Sequence, residues 1–468
     1  MDTLTEQLTS LTKKRNKWIE ANRENGFEAG ITNLLTELYP DNAHFIYELL
    51  QNAEDTKANS VRFTLSDNAI RFEHNGCRLF DLKDINSITS IGVSSKRDEE
   101  TSIGKFGVGF KAVFAYTNTP EVHSGNLHFR IHDMVVPKLL PNTVSEGATA
   151  FRFPFDNPKK TPARAVKEID RGLRALADNT LLFLNHIREI EYELPNSAVG
   201  KLKRIDTKSQ GIGERIEIRT IQPGETEAVA TWLRYRKTIS VVDEYGDKKT
   251  CEVAIAFRLH PPRNDLESGQ KKGTRGKKKS NKANAQWTIV PCEPGEVSIY
   301  FPAEKETSNL RFHVHAPFAS TVARDSIREC EANEELRNAL AQLTAEALSD
   351  IRDRGLLTMS LLAVLPNEDD NLPEFYEPLR TSIVRAFQND KLMPTKNGSY
   401  LKTGDLYQGP AEISSVIDDN DLSYLTNVDA RLWAANAPQK GQREDKFVDS
   451  LEIDQWAWTQ LSNTIKQT

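Results

Sequence analysis

Three polar side chains in the stretch Asp41–Asp55, DNAHFIYELLQNAED, are spaced so that one helix would bring them into line. Glu48, Asn52 and Asp55 fall at i, i+4 and i+7, which puts a carboxylate, a carboxamide and a second carboxylate on a single stripe. Such a stripe can activate a water, hold a divalent cation and bind a polar ligand. The same residues also suit the solvated face of an ordinary amphipathic helix. A second candidate is I-G-K-F-G-V-G-F-K, Ile103–Lys111, where Gly104, Gly107 and Gly109 precede an apolar run. Glycines at a helix mouth let backbone N–H groups approach an anion, and the helix N-terminus adds partial positive charge. That chemistry suits a phosphate chain, although tight packing of a loop on a helix would call for glycines too. The segment is not a Walker P-loop, because no Gly-Lys-Ser/Thr closes it. Nor is it a dinucleotide fingerprint, because no strand feeds it directly.

The elements that must position these residues follow from patterning. Residues 1–25 predict a charged helix, and Ile31, Leu34, Leu35 and Leu38 mark the buried stripe of a second helix over 28–39. Asp41 or Asn42 caps the next helix, whose apolar face is Phe45, Ile46, Leu49, Leu50 and Ala53. Val61, Phe63 and Leu65 alternate, as do Ile70 and Phe72, around Ser66-Asp67-Asn68, which predicts a hairpin. Period two then turns His74 to the same face as Ile70 and Phe72, toward the helices. A short helix is expected over 81–91, followed by the Ser/Lys loop SIGVSSK (Ser90–Lys96), the polar loop Arg97–Ser102, the glycine turn and an apolar helix. Strands are expected at 127–131, 149–155 and 187–194, with a helix over 163–177. From about residue 200 the pattern changes to alternating strands (RIEIRTI, KTISVVDEY, CEVAIAFRL, VSIYFPA, RFHVHAPF), closed by a helix over 333–352. Residues 355–468 mix helical pieces, such as 375–387, with a Gly- and Pro-bounded stretch. Their last segment, FVDSLEIDQWAWTQL, is apolar enough to want a packing partner, which fits the front part of a longer chain.

Bulk properties narrow the class. A chain of 468 residues exceeds what one core usually serves, and 38% hydrophobic with 27% charged residues is ordinary globular composition. A formal charge of −6 argues against a surface built as a whole for nucleic acid. The seven Lys/Arg between Lys271 and Lys282 form a local basic loop, more simply solvated than a binding patch. No apolar run is long enough to cross a bilayer, and the N-terminal stretch is too polar for a secretion signal. Cys77, Cys251, Cys292 and Cys330 are scattered, without zinc spacing, as expected of reduced thiols in a cytoplasmic protein.

The order of these parts is more specific than any one of them: a helix with E-x-x-x-N, a hairpin ending in x-N-G, a Ser/Lys loop, then G-x-x-G-x-G-F. This order resembles the GHKL ATPase superfamily of gyrase-type topoisomerases, MutL, ninety-kilodalton heat-shock chaperones and sensor histidine kinases. The wording is most similar to its sacsin-type and chaperone-type branch, strongly over residues 28–155 and more weakly to about 330. The resemblance implies an α+β chain. An N-terminal helical arm (1–25) would lead into an ATP-binding domain (26–198) of the Bergerat type, an α/β sandwich with helices on one face of a mixed, mostly antiparallel sheet. An α/β transducer-like domain (199–352) and a small C-terminal α+β region (353–468) would follow.

Carried across by position, Glu48 matches the general base that deprotonates the attacking water. Asn52 matches the residue that holds Mg²⁺ against the phosphates of ATP, and Asp55 a polar contact one turn further on. Lys96 resembles a loop lysine near the phosphates. Gly104, Lys105, Phe106, Gly107, Val108, Gly109 and Phe110 match the glycine segment at the base of a mobile lid, with Lys105 either a solvated lid residue or a phosphate ligand. Such families read D-x-G-x-G at the adenine; here the stretch is His74-Asn75-Gly76-Cys77-Arg78. Gly76 aligned puts His74 at the Asp position, where a neutral imidazole can accept one hydrogen bond. Asn75 is the alternative acceptor, and Arg78 replaces the second glycine. Thr149 resembles a pocket threonine. Arg324, in STVARDSI, resembles an arginine that reaches the terminal phosphate, or else pairs with Asp325. The implied function is Mg²⁺-dependent ATP binding and slow hydrolysis, driving lid closure and an ATP-dependent homodimer, with chaperone-like output or control of effector domains. The competing reading is a scaffold or nucleic-acid-binding module that uses Lys271–Lys282.

Overall fold

Alternation explains the start of the fold. In the computed structural model, β1 (Ser60–Leu65) and β2 (Ala69–His74) pair antiparallel with Val61 opposite His74 and Leu65 opposite Ile70. Ser66 closes the turn: its N–H donates to the Ala69 carbonyl at 2.9 Å, and its hydroxyl accepts from the Ala69 N–H at 3.2 Å. The structure describes residues 3–26, 45–90, 109–141, 149–207, 211–242, 248–262, 286–321, 326–426, 428 and 431–467. The helix expected over 28–39 lies outside them, as do Lys96, Gly104, Lys105, Phe106, Gly107, Val108, Arg324 and Lys271–Lys282.

The chain is α+β, with helices packed on a large mixed, mostly antiparallel sheet. On one side of β2, β6 (Thr149–Pro154), β3 (Glu121–Ser124), β4 (Leu127–His132) and β5 (Val136–Leu139) follow in that order. On the other side, β7 (Glu189–Glu193) lies parallel to β1, and β8 (Val199–Thr207), β9 (Glu214–Ile221), β10 (Ala228–Val242) and β11 (Lys248–His260) continue the same sheet antiparallel. Residue 199, where a second domain is expected to begin, is the first of β8. Three short pieces, at 297–299, 301–302 and 313–315, complete the β11 end of that path.

Helix α1 (Thr3–Glu24) crosses the far edge, where the Thr12 hydroxyl donates to the Pro137 carbonyl on β5. Helix α2 (Phe45–Asp55) is the buried one. Phe45, Ile46, Leu49 and Leu50 are each at most 2% exposed, and burial on this scale contributes about 1.5–3 kcal/mol per side chain. Phe45 meets Phe153 of β6 edge-on at 6.1 Å between ring centroids. Helix α3 (Leu82–Ile88) starts in a capping box, with Asp81 and Asp84 each accepting the other's backbone N–H. Helix α4 (Pro162–Arg174) starts with Thr161 at its N-cap and Pro162 in its first turn.

The apolar helix expected after the glycine turn is a 3₁₀ helix, Gly109–Ala115. Asp156 captures the chain directly after it, accepting from the Thr117 hydroxyl at 3.1 Å, the Asn118 N–H at 2.6 Å and the Thr119 hydroxyl. Too few residues remain for a longer helix, and short 3₁₀ pieces are what such connectors adopt.

Beyond the β7–β8 hairpin, a second core forms where helix α5 (Glu331–Asp353) packs on β10 and β11, joined by the Tyr235 hydroxyl donating to Asp350 at 2.9 Å. A small C-terminal cluster is centred on Trp433 and Trp456, which meet edge to face at 5.8 Å. The apolar end segment is packed: Phe447, Val448, Leu451, Ile453 and Trp456 are all buried. Among the described residues no helix is long and apolar enough to cross a membrane.

Candidate functional site

Glu48 is buried at 6% exposure although it sits on the polar stripe of α2. The reason lies in what faces it. A methyl group on Gly109 would stand 1.9 Å from Glu48 Oε2 and 2.5 Å from its Cδ, so the carboxylate lies directly against the bare Cα that ends the glycine segment. Asn52 and Asp55 follow on the same stripe, half-buried. Phe110 fixes the next step of the chain by packing on Phe151 and Phe153, with ring centroids 6.0 and 6.2 Å away.

The neighbouring carboxylate Glu54 has a different task. It accepts the N–H groups of Asn185, His186 and Ile187 at 2.6, 2.7 and 2.9 Å, which anchors α2 to the segment entering β7. A carboxylate holding three backbone donors is a structural staple.

His74 closes the other end of the site. Strand parity turns it inward, where it is 4% exposed and its ring lies beside Phe72 and stacks on Phe151. Its register partner across β2 and β6 is Thr149, and Thr149 in turn pairs with Ser124 of β3. The three side chains therefore form a buried polar row across three strands. The Thr149 and Ser124 hydroxyls lie 2.7 Å apart, and Ser124 also accepts the Phe80 N–H at 3.0 Å. The Gly76 N–H donates to His74 Nδ1 at 3.2 Å. Only glycine fits at position 76, since a Cβ would come within 2.1 Å of the Thr56 hydroxyl and 2.9 Å of His74 Nδ1.

The rest of the His74–Arg78 stretch faces elsewhere. Asn75 is exposed, and its side-chain oxygen accepts the Asn59 and Ser60 N–H groups, both at 2.9 Å. Arg78 forms a 2.8 Å ion pair with Asp84 on α3.

Two participants escape sequence reasoning. Thr56, one residue past α2, is placed against His74 and Gly76 by tertiary contact alone. Lys111, a lysine inside the apolar run FKAVF, is 2% exposed and donates to the Ile88 and Met134 carbonyls. Burial, reinforced by the nearby Arg15 guanidinium, pulls its pKa down to about 7. Its signal was available, since a charge flanked on all sides by apolar residues needs a buried partner. Arg15 on α1 donates to Asn86 at 2.9 Å and Ser90 at 2.7 Å, which ties the N-terminal helix to the end of α3.

Parts of the chain are similar to known proteins. A model of the Sacsin domain matches residues 74–148, from His74 to the residue before Thr149. The chain is sacsin-like. It is 24% identical to human sacsin over 368 residues, which is 62% of this chain and 8% of that protein. It is 27% identical to the Arabidopsis thaliana protein NO VEIN over 259 residues, 48% of this chain and 9% of that one. The sacsin-like chain thus spans less than a tenth of the length of either relative. Among solved structures, the N-terminal domain of a DNA repair protein overlaps at a TM-score of 0.34 and 12% identity, covering 69% of this chain and 97% of that one. The B subunit of Myxococcus xanthus DNA gyrase overlaps at 0.27 and 11% identity, covering 46% and 70%. The mixed sheet, the buried helix with its carboxylate and the sacsin-type segment are together consistent with a GHKL-type nucleotide-binding fold.

The residues present suit a nucleotide with its metal at one end of α2. Glu48 and Gly109 supply a carboxylate beside an open backbone, and the Asn52 carboxamide oxygen is a hard donor of the kind Mg²⁺ takes. Among the described residues no group of three or more His, Cys, Asp or Glu could hold a metal by itself, so a cation here would lean on phosphate and water for its other ligands.

Proposed function

We propose that the chain binds a purine nucleoside triphosphate with Mg²⁺, ATP being the one its resemblance implies, and hydrolyses it slowly to drive a conformational change. The observation that carries this is the contact between the buried Glu48 carboxylate and the Cα of Gly109. It brings a general base to the end of a segment whose glycines suit phosphate oxygens, the pairing that in-line attack by water requires. Glu48 takes the proton of the attacking water. Asn52 holds the cation, which when bound neutralises charge on the terminal phosphates. Asp55 lies further along the stripe, toward the His74 end, with Thr149 in the polar row behind. Lys96, the segment Gly104–Val108 with Lys105 at its start, and Arg324 complete the proposal as phosphate contacts, lid base and transition-state charge.

The conformational output runs through two attachments. Arg15 links helix α1 to Ser90, where the Ser/Lys loop begins. Tyr47, next to Glu48, packs with a tilt of 43° and 5.0 Å between ring centroids on Phe301 from the far end of the sheet, which supports a path from the site to a transducer-like region over 199–352. Lid closure, nucleotide-dependent dimerisation and control of further domains follow from such a path.

The test is Glu48→Ala. Hydrolysis should fall to background while Mg²⁺–nucleotide affinity stays within a few-fold of wild type, and Asn52→Ala should abolish the Mg²⁺ dependence of binding. Wild-type turnover in the Glu48 variant would refute the assignment.

A further inference from the structure

The segment 181–187, which leads from a 3₁₀ turn into β7, has no sheet ladder to satisfy its backbone, yet Leu181, Leu182, Leu184 and Ile187 are fully buried. A buried loop needs a partner for each of its backbone polar groups. Here ionised side chains from three elements supply them. Glu54 of α2 accepts the N–H groups of Asn185, His186 and Ile187. Arg204 of β8 donates to the Leu181 carbonyl at 2.5 Å and to the Leu184 carbonyl, and Arg234 of β10 donates to the Leu182 carbonyl. The three charged residues are only 3–4% exposed. Hydrogen bonds to ionised groups are the strong ones, and removing one partner leaves a buried charge uncompensated. Each guanidinium is also tied to its own sheet, Arg204 to Asp206 at 3.0 Å and Arg234 to Glu214 at 2.7 Å. The segment is therefore gripped on its N–H edge by the helix that carries Glu48, and on its carbonyl edge by β8 and β10.

A second attachment lies on the same side of α2. Tyr47, which packs on Phe301, comes seven residues before Glu54 and so shares its face of the helix. Two fixed points on one face set both the tilt and the roll of a helix. Glu48 projects from the adjoining stripe, between those points along the axis. We propose that Arg204 and Arg234 are positioning residues for the hydrolysis: acting through the segment 181–187 and Glu54, they hold Glu48 in place against Gly109. This inference rests on the reading of Glu48 as the general base. Neither arginine nor Glu54 belongs to the stripe Glu48–Asn52–Asp55, so a disturbance of β8 or β10 reaches the site as a change in turnover rather than in nucleotide affinity.

The experiment is steady-state hydrolysis of Mg²⁺–ATP by the full chain, as wild type, Glu54→Gln, Arg234→Met, their double variant and Arg234→Lys, with urea unfolding to give the folded fraction. Turnover per folded molecule should fall about tenfold or more in Glu54→Gln and in Arg234→Met, with KM within a few-fold of wild type. Arg234→Lys, still able to donate to the Leu182 carbonyl, should recover part of the loss. The double variant should be no slower than the worse single one, because Glu54 and Arg234 meet only through the segment between them. Unchanged turnover per folded molecule, or losses that multiply in the double variant, would overturn the inference while leaving the triphosphate site standing. Hydrogen exchange of the wild type needs no variant to fold: Mg²⁺–ATP should slow exchange both at 185–187 and at 231–236 of β10, and a change confined to the first stretch would also overturn the inference. A wild type that neither binds nor hydrolyses Mg²⁺–ATP would overturn the reading of the site as well.

Discussion

Gly109→Ala tests the site through one methyl group. Gly109 is not among the residues held at positive φ, so alanine fits its backbone and the perturbation is confined to the side chain. The new Cβ would lie 1.9 Å from Glu48 Oε2, and an ordinary carbon–oxygen contact needs about 3.3–3.6 Å, so the carboxylate must retreat by roughly 1.5 Å. The body of Glu48 cannot follow, because α2 is fixed by Phe45, Ile46, Leu49 and Leu50 inside and by Glu54 on three backbone N–H groups. The side chain therefore leaves its rotamer, at about 0.5–1.5 kcal/mol. Loss of glycine's unfolded-state freedom offsets about 0.4–1 kcal/mol of that. Stability should thus change by less than about 1 kcal/mol, whereas misplacing a catalytic group by about 1 Å costs on the order of 10²-fold in turnover. Steady-state phosphate release at saturating nucleotide, alongside nucleotide affinity and a denaturation curve, separates the two effects. Turnover should drop about 100-fold or more with affinity within a few-fold. The Glu48→Gln/Gly109→Ala double variant should be no slower than Glu48→Gln, because both remove the same function. Turnover within threefold of wild type in a folded Gly109→Ala protein would refute the claim that Glu48 acts from its observed position.

Two further perturbations probe the supporting structure. Gly76→Ala puts a Cβ 2.1 Å from the Thr56 hydroxyl and 2.9 Å from His74 Nδ1, so it should destabilise the fold by about 1–3 kcal/mol in urea unfolding; an unchanged midpoint would contradict the packing at that turn. Lys111 has a folded-state pKa lowered from 10.5 to about 7, so the unfolded chain binds the extra proton between those values and stability should rise with pH across that window. The Ile88 and Met134 carbonyls favour the charged form and act the other way, so the gain from pH 7 to 9 is at most about 2 kcal/mol. Lys111→Met should flatten that part of the stability curve, measured by chemical denaturation at the two pH values.

Much of the site's scaffold was legible because it depends on period and order. The alternation of β1 and β2 was enough to turn His74 inward, and the apolar spacing of α2 was enough to set Glu48, Asn52 and Asp55 on one stripe. What could not be read are contacts that close only across long separations. The strand at 121–124 was missed because its four residues, Glu-Val-His-Ser, carry no clear alternation; it exists because β4 and β6 both pair with it. The helix expected after Gly109 shortened to a 3₁₀ turn because Asp156 holds the chain from about 40 residues away. The continuity of the sheet through β7 and β8 into β11 was also hidden, since a local change of pattern near residue 200 reads equally well as a new unit or as more strands of the old one.

Residues of one type acquire different tasks here through the backbone that meets them. Glu48 and Glu54 share a helix and are both buried, yet one faces a glycine Cα and the other three N–H groups. The Glu54 carboxylate is taken up in holding the chain that enters β7, whereas the Glu48 carboxylate lies against the bare Cα that ends the glycine segment. The same logic sorts the stretch His74–Arg78. Each of its polar side chains could have read a base from sequence alone, but two are turned outward to strand ends and to α3, and only His74 is buried. Its tautomer is then set by Gly76, a residue whose lack of a side chain is what lets its N–H approach the imidazole.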